Sequence, residues 1–203
     1  NPDAIWLKVM IMQNELINDA TLVTNYINGS EYAIEVLIKR HKQRVYSFIY
    51  SKVYDRDIAE DIFQDTFIKV IKTLKLGKYN EEGKFLPWAI RIARNMAIDY
   101  FRKMKRMPTV TGSDGQDVFR KIKIKEENRE QAIIRGEQEN KVRRLIDQLP
   151  AEQRQVLILR HYGELSFKEI AELTDVSINT ALGRMRYALN NMRKMMEKQP
   201  IKA

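Results

Sequence analysis

The sequence predicts an all-α protein, two helical domains joined by a flexible linker, and three observations carry that prediction. Hydrophobic residues make up 44% and charged residues 31% of the 203, with only 8 Gly and 5 Pro, a balance that favours helices with buried faces over turn-rich β structure. Apolar residues recur at helical rather than alternating spacing along most of the chain. One stretch, Pro108-Thr109-Val110-Thr111-Gly112-Ser113-Asp114-Gly115, holds turn residues and no apolar period, and it separates two periodic blocks.

The elements follow in order. Ile5, Leu7, Val9, Met10, Leu16 and Ile17 make a helix-like pattern, so residues 1–18 read as an N-terminal helical extension. Asn28-Gly29-Ser30 is a turn, and Ser30 is placed to cap a helix running through Leu37 towards Tyr54. From Asp55, the stripe Ile58, Ile62, Phe63, Phe67, Val70, Ile71 and Leu74 marks an amphipathic helix. A polar loop, 77–83, breaks it. A further helix runs from about Leu86 to Lys105, with Pro87 tolerated in its first turn and Trp88, Ile92, Met96 and Tyr100 as its apolar side. Residues 19–107 thus form one domain and 108–137 a linker. A second domain, 138–203, opens with a polar helix to about Asp147 and continues in short helices.

Charge is the first functional signal. Thirty-six Lys and Arg oppose 27 Asp and Glu, a net +9 with a pI near 9.6, the electrostatic footprint of nucleic-acid binders. The absence of Cys excludes disulfides, thiolate metal sites and a cysteine nucleophile, and suits a cytoplasmic protein. No apolar run approaches the ~18 residues that span a bilayer. The chain opens Asn-Pro-Asp with no basic-then-apolar signal segment, and the missing initiator Met suggests a start that has been trimmed or follows a removed tag. No metal or cofactor motif is present.

The sharpest local pattern runs from Leu165 to Ala181. Ser166 can cap a short helix, with Glu169 three residues on as a capping box requires. Ile170, small Ala171 and Leu173 supply its inner face, and Thr174-Asp175-Val176 makes a turn with Val176 filling the angle. Ser177 caps a second helix whose inner stripe is Ala181, Met185, Ala188, Leu189 and Met192. Between 179 and 194 there are four cations (Arg184, Arg186, Arg193, Lys194) and no acid. This is a helix-turn-helix with a basic outer face suited to the DNA major groove; the plainer alternative is a helical hairpin with a solvated face.

The first domain carries two faces of opposite sign. Residues 55–65 hold five acids against Arg56, a net −4, whereas 84–106 hold seven cations against Asp99, a net +6. The basic helix also bears Phe85, Trp88, Asn95, Tyr100 and Phe101. Cations position phosphates, amides and carboxylates read base edges, and aromatic rings accept unstacked bases. Trp88 reads first as core and second as a stacking platform. The acidic face is either solvated or a dock for a basic partner.

Three ordered motifs carry a resemblance. Asp57-x-x-Glu60-Asp61-x-x-Gln64-Asp65-x-Phe67 is followed by Trp88-x-x-Arg91-Ile92-Ala93-Arg94-Asn95-x-x-x-Asp99-Tyr100-x-Arg102, then by Leu149-Pro150-x-Glu152-x-Arg154 and the helix-turn-helix. Together they resemble bacterial RNA polymerase sigma factors of the extracytoplasmic-function (ECF) group, over roughly 19–106 and 138–194. The resemblance implies a sigma factor that binds core RNA polymerase, recognises the −35 and −10 promoter elements and helps melt the promoter. Asp57, Glu60, Asp61, Gln64 and Asp65 would dock on the polymerase. Lys84, Trp88, Arg91, Asn95, Asp99 and Arg102 would face the −10 DNA, with loop 76–85 lining a pocket for a flipped base. Asn179, Thr180, Leu182, Gly183, Arg184, Arg186 and Tyr187 would face the −35 DNA. It also implies an anti-sigma partner, often membrane-anchored, and neither an enzymatic activity nor a small-molecule substrate. Where family members often show Thr-Val-Lys-Ser-Arg, this chain has Thr180-Ala181-Leu182-Gly183-Arg184, so an unusual −35 preference is expected.

Two rival readings remain open on the residues alone. An ordinary helix-turn-helix regulator would use 1–106 as a sensor or dimerisation module, but a sensor has no need of so basic a helix at 84–106. A helical metal-dependent hydrolase would use Glu60, Asp61 and Asp65. Against it, His41 and His161 lack any His-Glu-x-x-His context and read as a surface and a helix-end residue, and neither a Gly-rich phosphate loop nor a Ser, His and acid cluster occurs.

Overall fold

The computed structural model of the chain describes residues 17–80, 82–106 and 140–198, and all regular structure among them is helical. The expected helix at 1–16, the linker and the first part of the polar helix that should follow it lie outside the described residues.

Four helices build the first unit: α1 (Asp19–Ile27), α2 (Glu31–Val53), α3 (Arg56–Lys75) and α4 (Phe85–Arg106). Local chemistry sets their ends. Asn18 Oδ1 accepts the Thr21 N–H at 2.8 Å and Asp55 Oδ1 the Ile58 N–H at 2.9 Å, each satisfying a donor that the first helical turn leaves unpaired. Ser30 stands at the start of α2 as expected, but its hydroxyl makes no capping bond; Ala33 N–H instead reaches the Ser30 carbonyl at 3.1 Å. Tyr54 ends α2 in the left-handed conformation, φ 55°, with its N–H on the Tyr50 carbonyl at 2.8 Å.

The core of this unit contains Leu37, Phe48, Ile49, Leu74, Phe85 and Ile90, all fully buried. The stripe predicted for α3 is largely buried as foreseen. On α4 the prediction needs rotating: Phe85, Leu86, Ala89, Ile90, Ala93 and Ala97 are buried, whereas Trp88, Ile92, Met96 and Tyr100 are half-buried at the edge. The three alanines let α4 approach its neighbours closely, so the larger side chains flank the contact. His41, expected at the surface, is 3% exposed. Its Nε2 lies 2.7 Å from Asp19 Oδ2, and Arg40 donates to the other oxygen of the same carboxylate at 2.5 Å.

The second unit comprises residues 140–147 (α5), α6 (Ala151–His161), α7 (Phe167–Thr174) and α8 (Ile178–Lys198). Leu145, Leu149, Ile158, Leu159, Leu165 and Ile170 fill its centre. Gly163 is required where α6 gives way to the turn, because a Cβ there would meet the Leu159 carbonyl oxygen at 2.8 Å. Asn191 donates to Gln153 Oε1 at 2.8 Å and ties α8 to α6.

The two units pack against each other. The Arg143 guanidinium sits 3.4 Å from the Tyr54 ring centroid, Arg44 Nε is 3.2 Å from Glu164 Oε2, and Lys84 Nζ is 2.8 Å from Glu172 Oε2. No helix among the described residues is long and apolar enough to cross a membrane.

Candidate nucleic-acid interface

On α3, Asp57, Glu60, Asp61, Gln64 and Asp65 are all exposed. Their spacing places them on one side of the helix, opposite buried Ala59, Ile62, Phe63, Thr66 and Phe67. None of the four carboxylates takes part in an ion pair among the described residues. Their charge is therefore uncompensated and available to a basic partner. Ile68, 48% exposed, extends this face by one turn. The sequence reading missed it, although its position seven residues after Asp61 carried the signal. Among the described residues no group of three or more His, Cys, Asp or Glu is placed to hold a metal ion.

On α4, Arg91, Asn95, Asp99 and Arg102 are exposed along one side, with Trp88 half-buried at its head. Asp99 and Arg102 lie 3.5 Å apart at the surface. Trp88 is both core and wall: its ring centroid is 5.9 Å from that of Phe85 and 4.3 Å from that of Tyr79, at 39° between planes. Tyr79 belongs to the loop before α4. The loop is thereby pinned to the helix, and a cavity of about 330 Å³ opens between Lys78, Tyr79, Asn80 and Lys84 on the loop and Trp88 and Arg91 on α4. Glu169, Glu172 and Leu173 of α7 line its other side. Segment 76–85, the one singled out in the sequence, supplies one wall of the cavity.

The helix-turn-helix folds as its local signals require. The Ser166 side chain accepts the Glu169 N–H at 3.3 Å while Glu169 Oε2 accepts the Ser166 N–H at 2.7 Å, a complete capping box. Asp175 turns the chain in the left-handed conformation, φ 55°, and Val176 packs against the core. Ser177 Oγ accepts the Thr180 N–H at 3.0 Å and starts α8. Ala181 and Ala188 are fully buried, with Met185 and Met192 packed beside them. Leu189, predicted as part of this stripe, is 49% exposed. It stands a further 100° round the helix from Ala188 and passes the edge of the narrow contact.

The outer side of α8 presents exposed Asn179, Thr180, Leu182, Arg186 and Tyr187, with Gly183 and Arg184 half-buried among them. A Cβ at Gly183 would meet nothing within 4 Å. Packing therefore does not demand glycine there, although glycine inside a helix costs about 1 kcal/mol relative to alanine.

The sequence reading missed a third cluster. Lys52, Arg94 and Arg154 line a cavity of about 370 Å³ between the two units, together with Phe48, Ile98 and Phe101. Burial, reinforced by repulsion from Arg154 and Arg94, lowers the Lys52 ammonium to a pKa of about 8.

Comparison with known proteins gives the family. Residues 37–107 match sigma-70 region 2 and residues 139–189 match sigma-70 region 4, together more than half of the chain. The chain is 29% identical over 183 residues to the RNA polymerase sigma-H factor of Pseudomonas aeruginosa, covering 88% of this chain and 94% of that protein. It is 28% identical over 172 residues to the ECF RNA polymerase sigma factor SigW of Bacillus subtilis, covering 83% and 91%. The fold is similar to that of CnrH, solved in complex with the cytosolic domain of CnrY, with TM-score 0.67 and 20% identity over 89% of this chain and 98% of that one. It is also similar to the sigma factor RpoE, solved with the anti-sigma factor NepR from Bartonella quintana, with TM-score 0.58 and 21% identity over 82% and 98%. Both sigma regions, in order, on a shared all-helical fold and with ECF relatives matched over nearly their whole length, show that this chain belongs to the ECF group of bacterial RNA polymerase sigma factors.

Proposed function

We infer that this sigma factor, which directs promoter-specific initiation by core RNA polymerase, divides its work among three surfaces of two domains, 19–107 and 138–203. The exposed acidic face of α3 (Asp57, Glu60, Asp61, Gln64, Asp65) docks on a basic surface of the polymerase, with Ile68 as an apolar anchor at its end. Lys84, Arg91 and Arg102 hold the backbone of the −10 strand, while Asn95 and Asp99 read base edges. The cavity between loop 76–85 and Trp88 is walled by aromatic rings and rimmed by cations, the chemistry that receives an unstacked base.

The outer face of α8 reads the −35 duplex. Asn179 and Arg186 offer hydrogen bonds to base edges, Thr180 and Arg184 reach phosphates, and Leu182 and Tyr187 offer apolar contact. Gly183 leaves a strip where DNA can lie close to the helix backbone. The similar sigma factor RpoE, solved with the anti-sigma factor NepR, supports an anti-sigma partner for this chain as well.

The single observation that carries the reading is the pairing, in one chain, of an uncompensated acidic face on α3 with a basic, aromatic-headed stripe on α4 beside a helix-turn-helix. The rival regulator accounts only for the last of these. The deciding experiment is in vitro transcription by sigma-free core polymerase on a genomic fragment library. Transcripts from a reproducible subset of fragments, present only when the chain is added, are expected; their absence would sink the reading.

A further inference from the structure

Three cations meet with little negative charge to match them. Lys52 on α2, Arg94 on α4 and Arg154 on α6 line the cavity of about 370 Å³ between the units. Among the described residues neither Lys52 nor Arg94 forms an ion pair. Arg154 is loosely held. Its Nη1 lies 3.8 Å from Asp147 Oδ1, its Nη2 donates to the Leu149 carbonyl at 3.2 Å, and its buried Nε finds no acceptor. The shortage is felt at Lys52, whose ammonium is disfavoured by burial and by the charges of Arg154 and Arg94, with Asp147 the weakest influence. Cations gathered in apolar surroundings without counter-charge destabilise a fold, and such arrangements cluster at functional sites.

Much of the remaining lining is apolar. Phe48 and Leu159 are each 1% exposed, whereas Ile98 and Phe101 leave 37% and 44% of their surface open. The start of α6 reaches the cavity through Ala151. Pro150 gives it no side-chain cap, so the N–H groups of that first turn add positive potential. Glu152, the acid of the turn, is not part of the lining.

We propose that this cavity binds a medium-chain carboxylate, its head group held by Lys52, Arg94 and Arg154 and its hydrocarbon chain lying on Phe48, Ile98, Phe101 and Leu159. Size agrees, because small-molecule pockets run from roughly 300 to 1,000 Å³ and are mostly apolar with a few placed polar groups. The site is separate from the −10 stripe. Arg94, Ala97, Ile98 and Phe101 lie about a quarter turn round α4 from Arg91, Asn95, Asp99 and Arg102. A nucleic-acid phosphate suits it less: the three cations are half-buried among large apolar side chains, whereas DNA interfaces are polar and wet. With α2 and α4 in the first unit and α6 in the second, the ligand touches both.

Isothermal titration of the full chain with decanoate tests this. Decanol serves as the uncharged counterpart, inorganic phosphate as the charge without a chain, and a short single-stranded DNA as competitor. One decanoate per chain is expected, with decanol and phosphate each bound at least about tenfold more weakly and no displacement by DNA. Lys52→Met and Arg94→Gln should each weaken decanoate binding about 10- to 100-fold, the loss of one hydrogen bond to a charged group. Lys69→Met, the same charge change at an exposed position of α3, should leave it unaltered. Absence of decanoate binding, or equal binding by the parent and the Lys52 and Arg94 variants, would overturn the site. Equal binding of decanol, preference for phosphate or displacement by DNA would overturn the ligand class. No arm involves polymerase or a promoter, so each outcome is independent of the sigma-factor reading.

Discussion

Asp19 and His41 are joined across 2.7 Å, from the imidazole Nε2 to carboxylate Oδ2, and this contact ties α1 to the middle of α2. An ionised carboxylate can only accept, so the proton resides on Nε2; Nδ1 is buried without a partner. The His41 ring also lies 5.4 Å from that of Phe85 at the start of α4. The contact therefore indirectly supports α4.

Asp19 should make stability sensitive to acid. Burial raises its pKa, but hydrogen bonding and charge from His41 and Arg40 outweigh this and leave it below 3.8. A depressed carboxylate stabilises the fold at pH values above its unfolded pKa, and that contribution disappears as pH falls through the folded value. Asp19→Asn should cost about 1–3 kcal/mol at pH 7 and flatten the acid limb below pH 4. Urea titrations of both proteins at several pH values test this; parallel acid limbs would refute it.

Lys52 predicts a slope of the same sign, but in the alkaline range. Its folded pKa of about 8 lies below the ordinary 10.5, so between these values the unfolded chain holds a proton that the folded chain has released. Stability from this group therefore rises with pH from about 8 to 10.5. Lys52→Met should stabilise the protein by about 1–3 kcal/mol at pH 7, with the gain shrinking as pH rises from about 8 to 10.5. Thermal melts across that range would reveal it, and a gain independent of pH would contradict the assigned cause.

Asn95 stands exposed in the middle of the α4 stripe. Asn95→Ala should reduce promoter opening at the −10 element about tenfold, the effect of about 1–2 kcal/mol of lost base-edge bonding, while sparing −35 binding. Permanganate reactivity of unpaired thymines reports the first and footprinting the second. Equal loss of both would remove the division of labour between α4 and α8.

Features coded by near neighbours were legible in the sequence. The Ser166–Glu169 capping box, the Asp55 start of α3 and the acidic and basic faces follow from spacings of three or four residues, and each took the predicted form. What stayed hidden depends on partners distant in the chain. His41 shows no periodic signal because its partner is 22 residues away, and the Lys52–Arg94–Arg154 cluster assembles from three helices. The buried side of α4 was misjudged for a related reason: large side chains dominate a periodicity reading, whereas alanines decide where helices touch. The contact of Lys84 with Glu172 arises only when the two units meet.

The most direct test of the sigma-factor account is co-elution with sigma-free core polymerase. The parent chain should co-elute, and Asp61→Lys with Asp65→Lys should weaken binding at least tenfold with helix content unchanged, as expected when charges on a complementary interface are reversed. Full-strength binding by the reversed variant would contradict the docking face, and a parent that ignores core polymerase but binds duplex DNA tightly would contradict the account as a whole.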